Sequence, residues 1–303
     1  MRLASFKIGQ KRAAGLVIGQ PATRIADLTD ILAGQTDLIP VIENPEKFSL
    51  VSSINEHNFK GEIFDLASVG LLPPIARPGK IICLAGNYTE HISESGYKAP
   101  QDNSVFTQQL FLKPSTSLIG CGAVIELGSQ NVRVGWETEL AVVIGKGGRN
   151  IPASSALEHV FGYTVLNDIS ERGLNSQVPN RHRREMDEFC DWLAGKWFDG
   201  FAPCGPWIVT SDEVKHPHEL TIRFFLNGEE RQHGSTLDMI FDIPSQIEYI
   251  SSIMTLEAGD IISTGTPAGA GVGDKRTTLA DGDELVSEIE RIGKLINTVR
   301  YVN

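Results

Sequence analysis

In VRVGWETELAVVIGK (132–146), residues 132–144 read as a strand that begins half-polar and ends in an unbroken apolar run. Side chains alternate along a strand, so Glu137 and Glu139 share a face, about 7 Å apart along the backbone. At an effective dielectric of about 20, that like-charge pair costs roughly 2 kcal/mol, and burial raises the cost. AVVIG is apolar on both faces and predicts that the strand enters the interior. Two carboxylates on one face of a half-buried strand call for a cation. The competing reading is a solvated polar face with Trp136, Thr138 and Leu140 turned inward, and spacing alone leaves both open.

The segments around it repeat the pattern of strands without regular βα alternation. Residues 3–8 and 14–19 suggest two short strands about a GQKR turn, and 44–59 a surface helix. LLPPIARPG (71–79) reads as a proline-stiffened linker, which places a boundary between a small N-terminal α+β domain (1–73) and a larger domain (74–303). Beyond it, KIICLAG (80–86), 118–126 and TVLND read as strands. SSALEHVFGY reads as a capped helix, and PSQIEYISSIMTL as a helix opened by proline. LTIRFFLNGEERQ carries an Asn-Gly hairpin signal, and the C-terminus reads as strand. The expected fold class is mixed α/β and β-rich, not a doubly wound sheet.

Composition narrows the function. The chain has 303 residues, with 27 basic against 38 acidic and a net charge of -11. That balance argues against nucleic acid and against an anionic membrane surface. The four cysteines form no CxxC pair, which disfavours zinc-finger and disulfide scaffolds. MRLASFKIGQKRAAG has no apolar core of signal-peptide type, and no run is long enough to span a membrane. The expectation is a reduced, cytoplasmic protein.

Further acids and bases fall near strand ends. Asp168 stands where TVLND gives way to a polar loop, where it either caps a helix from Ile169 or joins Glu137 and Glu139. Three oxygen ligands suit a hard divalent ion such as Mg²⁺, Mn²⁺ or Ca²⁺. In GNYTEHISESG, His91 and Glu94 are three apart and share a helical face, which lets a carboxylate orient an imidazole for water activation. A surface His beside surface acids is the alternative. IISTGTPAGAGVGDK (261–275) is a glycine loop whose N–H groups suit a carboxylate or enolate oxygen, or a plain turn; it is not a phosphate loop. Lys196 lies in the aromatic, proline-ordered AGKWFDGFAPCGPW.

KIICLAGNYTEHISE, FLKPSTSLIG, WETELAVVIGK, FGYTVLNDISER, GKWFDGFAPCGPW, NGEERQ and LEAGDIISTGTPAG follow in this order. Together they resemble the fumarylacetoacetate hydrolase family, the acylpyruvase and 2-keto-4-pentenoate hydratase group, over roughly residues 75–300. The resemblance implies a β-roll-like catalytic domain, a homodimer, and Mg²⁺ or Mn²⁺ held by Glu137, Glu139 and Asp168. It assigns His91 and Glu94 as a water-activating pair on a lid helix within 87–104, and Lys196 as the active-site lysine. Arg172, Gly265 and Thr266 become substrate contacts. The implied activity is metal-dependent hydrolysis of a C–C bond in a 2,4-dioxo acid through a metal-stabilised enolate. Oxaloacetate decarboxylation, hydratase, dehydratase or isomerase chemistry on another 2-oxo acid is the alternative, and a catalytically silent metal- and ligand-binding protein a further one. Gly135–Trp136 replaces the Asp-Tyr of many relatives, and Glu171–Arg172–Gly173 the usual Ala-Arg-Asp. Arg181, Arg183 and Arg184 are further candidates for a substrate carboxylate.

Overall fold

The structure, a computed structural model, describes residues 1–19, 21–94, 96, 98, 106–271 and 278–302. The main path of its larger sheet runs Ile63–Asp65, Arg24–Asp27, Lys11–Ile18, Arg2–Ile8, Ala202–Thr210, Val160–Asn167, Thr138–Ile144, Ile261–Ser263, Ile81–Ala85 and Gln109–Lys113. A second sheet runs Glu229–Ser235, Thr221–Leu226, Glu284–Ile289, Gly293–Tyr301 and Val124–Leu127. The fold is therefore mixed α/β and rich in sheet, with few helices, as expected. No helix among the described residues is long and apolar enough to cross a membrane.

Strand Thr138–Ile144 explains its own sequence. Leu140, Val142 and Ile144 pack in a core shared with Ile222, Ile289 and Leu295 of the second sheet. Ala141 and Val143 point the other way, into a core shared with Leu16, Leu28 and Val41 of the N-terminal segment. Both faces are covered, so the strand is apolar at every position after Glu139. Glu139 keeps the parity of Ala141 and faces the same side.

Among the described residues the N-terminal segment has no separate sheet. Arg2 and Leu3 pair with Val209 and Ile208, which joins its strands to the larger sheet. The stretch expected as a linker is packed: Ile75 is fully buried and Ser5 Oγ donates to the carbonyl of Pro74 at 2.8 Å. The 73/74 division thus runs through a shared core.

Several local expectations are corrected. The helix expected over 44–59 is Pro45–Ser52, capped by Asn44, whose side chain accepts from Glu46 and Lys47 N–H. SSALEHVFGY forms a 3-10 helix, Ala153–His159, instead of an α-helix. The strand expected over 132–144 is two pieces, Val134–Gly135 and Thr138–Ile144, in different sheets. The break has a physical cause: side chains from elsewhere take the amides there, with Glu137 N donating to Asn167 Oδ1 and Thr138 N to Gln232 Oε1. The Asn227-Gly228 hairpin forms as read, with φ of 53° and 80°, the left-handed pair that such a turn demands.

Candidate active site

The ends of two paired strands bring the acids together. Glu137 and Glu139 come from the start of Thr138–Ile144 and Asp168 from the end of its antiparallel neighbour Val160–Asn167. One carboxylate oxygen from each lies within 4.8 Å of the others, and all three residues are buried. Asp168 caps no helix; strand Ser170–Glu171 follows it.

Three cations meet these acids. Lys196 Nζ donates to Glu137 Oε2 and Asp168 Oδ2, both at 2.7 Å. Its ammonium also lies over the rings of Phe111 and Trp192, at 5.1 and 5.7 Å. Arg172 Nη2 donates to Glu137 Oε1 at 2.5 Å. Lys113 Nζ donates to Asp168 Oδ1 at 2.5 Å and to the carbonyl of Ile169 at 3.2 Å. The functional reading of the sequence missed Lys113. Its signal was parity: it stands two residues after the buried Phe111, on the same inward face of Gln109–Lys113.

The electrostatics divide the acids. Burial acts to raise Glu137, but the charges of Lys196, Arg172 and His91 outweigh it and hold the carboxyl below the usual range. Burial and the charges of Asp168 and Glu137 push Glu139 up to about 8, against hydrogen bonds from Ser263 and Gly265. Those bonds are Ser263 Oγ at 2.5 Å and Gly265 N–H at 2.9 Å, both to Oε2. Burial acts to lower Lys196, yet Asp168 and Glu137 leave its pKa raised, so it stays an ammonium. Three buried carboxylates that crowd one point, one of them raised by burial and by its acidic neighbours, fit a hard divalent cation.

The pair expected to activate water lies on helix Thr89–Glu94. His91 Nδ1 is 3.8 Å from Glu94 Oε2, and His91 is near enough to Glu137 for its charge to act there. Glu94 accepts the N–H of Gly269 on both oxygens at 2.9 Å. Burial acts to raise Glu94, but His91 and the Gly269 and Ala270 N–H groups hold it below the usual carboxylate range. Of the proposed lid, residues 95, 97 and 99–104 lie outside the described residues.

The expected substrate contacts are engaged with the protein. Gly265 N–H is given to Glu139, and Arg172 to Glu137. Thr266 Oγ1 donates to the Thr138 carbonyl at 2.9 Å and accepts from Gln232 Nε2 at 2.8 Å. Gln232 also donates to Pro267 O at 2.9 Å, so the NGEERQ hairpin ties the acid-bearing strand to the glycine loop. The basic run after Arg172 folds back on acids of helix Asp187–Ala194: Arg181 pairs with Asp191 and Arg184 with Asp187. Gly135 stands in a tight place, since a Cβ there would lie 3.1 Å from both Arg172 Nε and the Ala270 carbonyl oxygen and would press on them.

A β-rich mixed fold thus carries a buried three-carboxylate centre of the kind that suits a divalent metal ion. Residues 80–300 match the family model described as fumarylacetoacetate (FAA) hydrolase C-terminal. The chain belongs to the fumarylacetoacetate hydrolase family. It is 40% identical over 234 residues, 77% of this chain and 70% of the other, to a mitochondrial oxaloacetate tautomerase of Homo sapiens. The structure of maleylpyruvate hydrolase from Sphingobium sp. SYK-6 in complex with manganese (II) ion and pyruvate superposes with a TM-score of 0.79 at 32% identity, covering 100% of each chain. A fumarylacetoacetate hydrolase from Exiguobacterium antarcticum gives 0.78 at 32% identity, again over 100% of both. These relatives are enzymes, hydrolases and a tautomerase among them.

Proposed function

We propose that this protein is a divalent-metal-dependent hydrolase that cleaves a C–C bond in a 2,4-dioxo acid and releases pyruvate. The observation that carries the reading is the His91–Glu94 pair beside the carboxylate centre, close enough for the His91 charge to act on Glu137, with Glu94 fastened to Gly269. Similarity to a maleylpyruvate hydrolase seen with manganese and pyruvate supports it. Mg²⁺ or Mn²⁺ would be held by Glu137, Glu139 and Asp168, and would supply Lewis-acid polarisation of a 2-oxo acid.

The chain's own residues do the rest. His91 presents Nδ1 to Glu94, so Nε2 takes the proton from water while Glu94 orients the ring. The resulting hydroxide adds to the distal carbonyl. The C–C bond then breaks, and its electron pair leaves on the 2-oxo fragment as a pyruvate enolate. The Lys196 ammonium faces that negative charge, and protonation at carbon yields pyruvate. Three carboxylates stand against the three cations Lys113, Lys196 and Arg172, so a bound divalent ion leaves the centre positive, as an anionic substrate requires.

Identity to an oxaloacetate tautomerase favours a second reading, enol–keto exchange or decarboxylation of oxaloacetate. A panel of 2,4-dioxo acids, oxaloacetate and sugar-derived 2-oxo acids, assayed with Mg²⁺ or Mn²⁺ for pyruvate release and enol absorbance, separates the two. No pyruvate from any 2,4-dioxo acid defeats the hydrolase reading. A homodimer in the cytoplasm remains our proposal for its state and location.

A further inference from the structure

We infer that Trp136 is a positioning residue for the His91–Glu94 pair, acting through the peptide group that joins Gly269 and Ala270. The inference rests on the hydrolase reading for its kinetic part only. Trp136 Nε1 donates to the Gly269 carbonyl at 3.0 Å. The N–H of that same peptide unit belongs to Ala270 and acts on the Glu94 carboxylate, which accepts the Gly269 N–H on both oxygens at 2.9 Å. Gly269 thus accepts the indole N–H at its oxygen and gives its own N–H to Glu94, so the residue that Trp136 holds is the one that fastens the carboxylate.

The peptide has little freedom to find another position. Gly269 has φ of +92°, and a Cβ on it would lie 2.0 Å from the Arg231 carbonyl, so the loop is pressed against the hairpin. Trp136 is itself fixed: it is fully buried and stacked on Phe224, with centroids 5.0 Å apart and planes at 20°. It directly precedes Glu137. The segment that carries two of the acids therefore also sets where the Glu94 carboxylate sits, and registers the pair against the acid centre. The indole N–H is specific to this role, since a phenyl ring would serve the packing alone.

The test uses Trp136→Phe, and benzothienylalanine at the same position, which keeps the bicyclic shape and removes only the N–H. Hydrogen exchange of the Gly269 and Ala270 amides should quicken about tenfold in both variants and in Glu94→Gln. Hydrolytic kcat should fall about tenfold with KM little changed, while oxaloacetate enolisation and Mn²⁺ affinity stay within about twofold. Should Trp136→Phe fail to fold, the benzothienyl variant decides. Unchanged amide exchange overturns the inference whatever the activity. Parallel loss of hydrolysis, enolisation and Mn²⁺ affinity also overturns it, because Trp136 would then act through the acid-bearing strand. Faster exchange in an enzyme that hydrolyses no 2,4-dioxo acid supports the link from Trp136 to Glu94 and defeats only the hydrolase reading.

Discussion

The ammonium of Lys196 bridges Glu137 and Asp168, 2.7 Å from an oxygen of each, and all three side chains are buried. Removal of the lysine leaves two buried carboxylates without their shared cation, a loss of about 3–5 kcal/mol when a buried pair is broken from one side. Lys196→Met should therefore lower the melting temperature of metal-free protein by several degrees, and Mn²⁺ should recover part of the loss. Its kcat should fall about a hundredfold with a much smaller change in KM, the pattern of an interaction made chiefly in the transition state. A pure KM effect would make Lys196 a substrate-binding residue.

Glu139 makes the centre sensitive to pH. Its carboxyl moves from 4.5 to about 8 on folding. Between those values the metal-free fold holds a proton that the unfolded chain has lost, so this group's contribution to stability declines as pH rises through that window. A metal ion must expel that proton. Calorimetry at pH 7 in buffers of different ionisation enthalpy should show about one proton released per ion bound, with affinity rising to about pH 8 and level above. Glu139→Gln should abolish the release and weaken Mn²⁺ binding at least tenfold, with the fold intact. Full turnover after exhaustive chelation would remove the metal from the account.

His91→Gln separates water activation from the chemistry at the acids. Hydrolysis should drop by about 10²–10⁴-fold, the range of a lost general base. Binding of Mn²⁺ and oxalate should stay within about twofold, because the acids sit on other elements. Oxaloacetate decarboxylation needs no attacking water and should survive better. Equal loss of both reactions would show that His91 does something else.

Lys113 is coupled to Asp168 through one carboxylate oxygen, while Lys196 holds the other. A double-mutant cycle of Lys113→Met with Asp168→Asn should give a coupling of about 1–3 kcal/mol in chemical denaturation of the metal-free protein. Strict additivity would make their contact incidental.

Much of the protein was decided within short windows of sequence. The alternation and the AVVIG run determined a strand buried on both faces, Asn227–Gly228 a hairpin, and Pro244 with its apolar spacing the helix Ile243–Ile253. Local spacing left Glu137, Glu139, Asp168, Lys196, His91 and Glu94 open to plain structural readings, and the resemblance carried by the ordered motifs singled them out. Tertiary structure decided what those residues touch. Lys113 meets Asp168 across 55 residues of chain, and Ser263 reaches Glu139 across 124. The break at Trp136–Glu137 depends on Asn167 and Gln232 arriving from other strands to take its amides. Gly265, Thr266 and Arg172 likewise support the acids only because sheet order brings their strands alongside. Periodicity reports which face of an element is buried, since that is a property of consecutive residues. A hydrogen-bond partner is set by sheet order and register, which are fixed by packing energies summed over the whole fold.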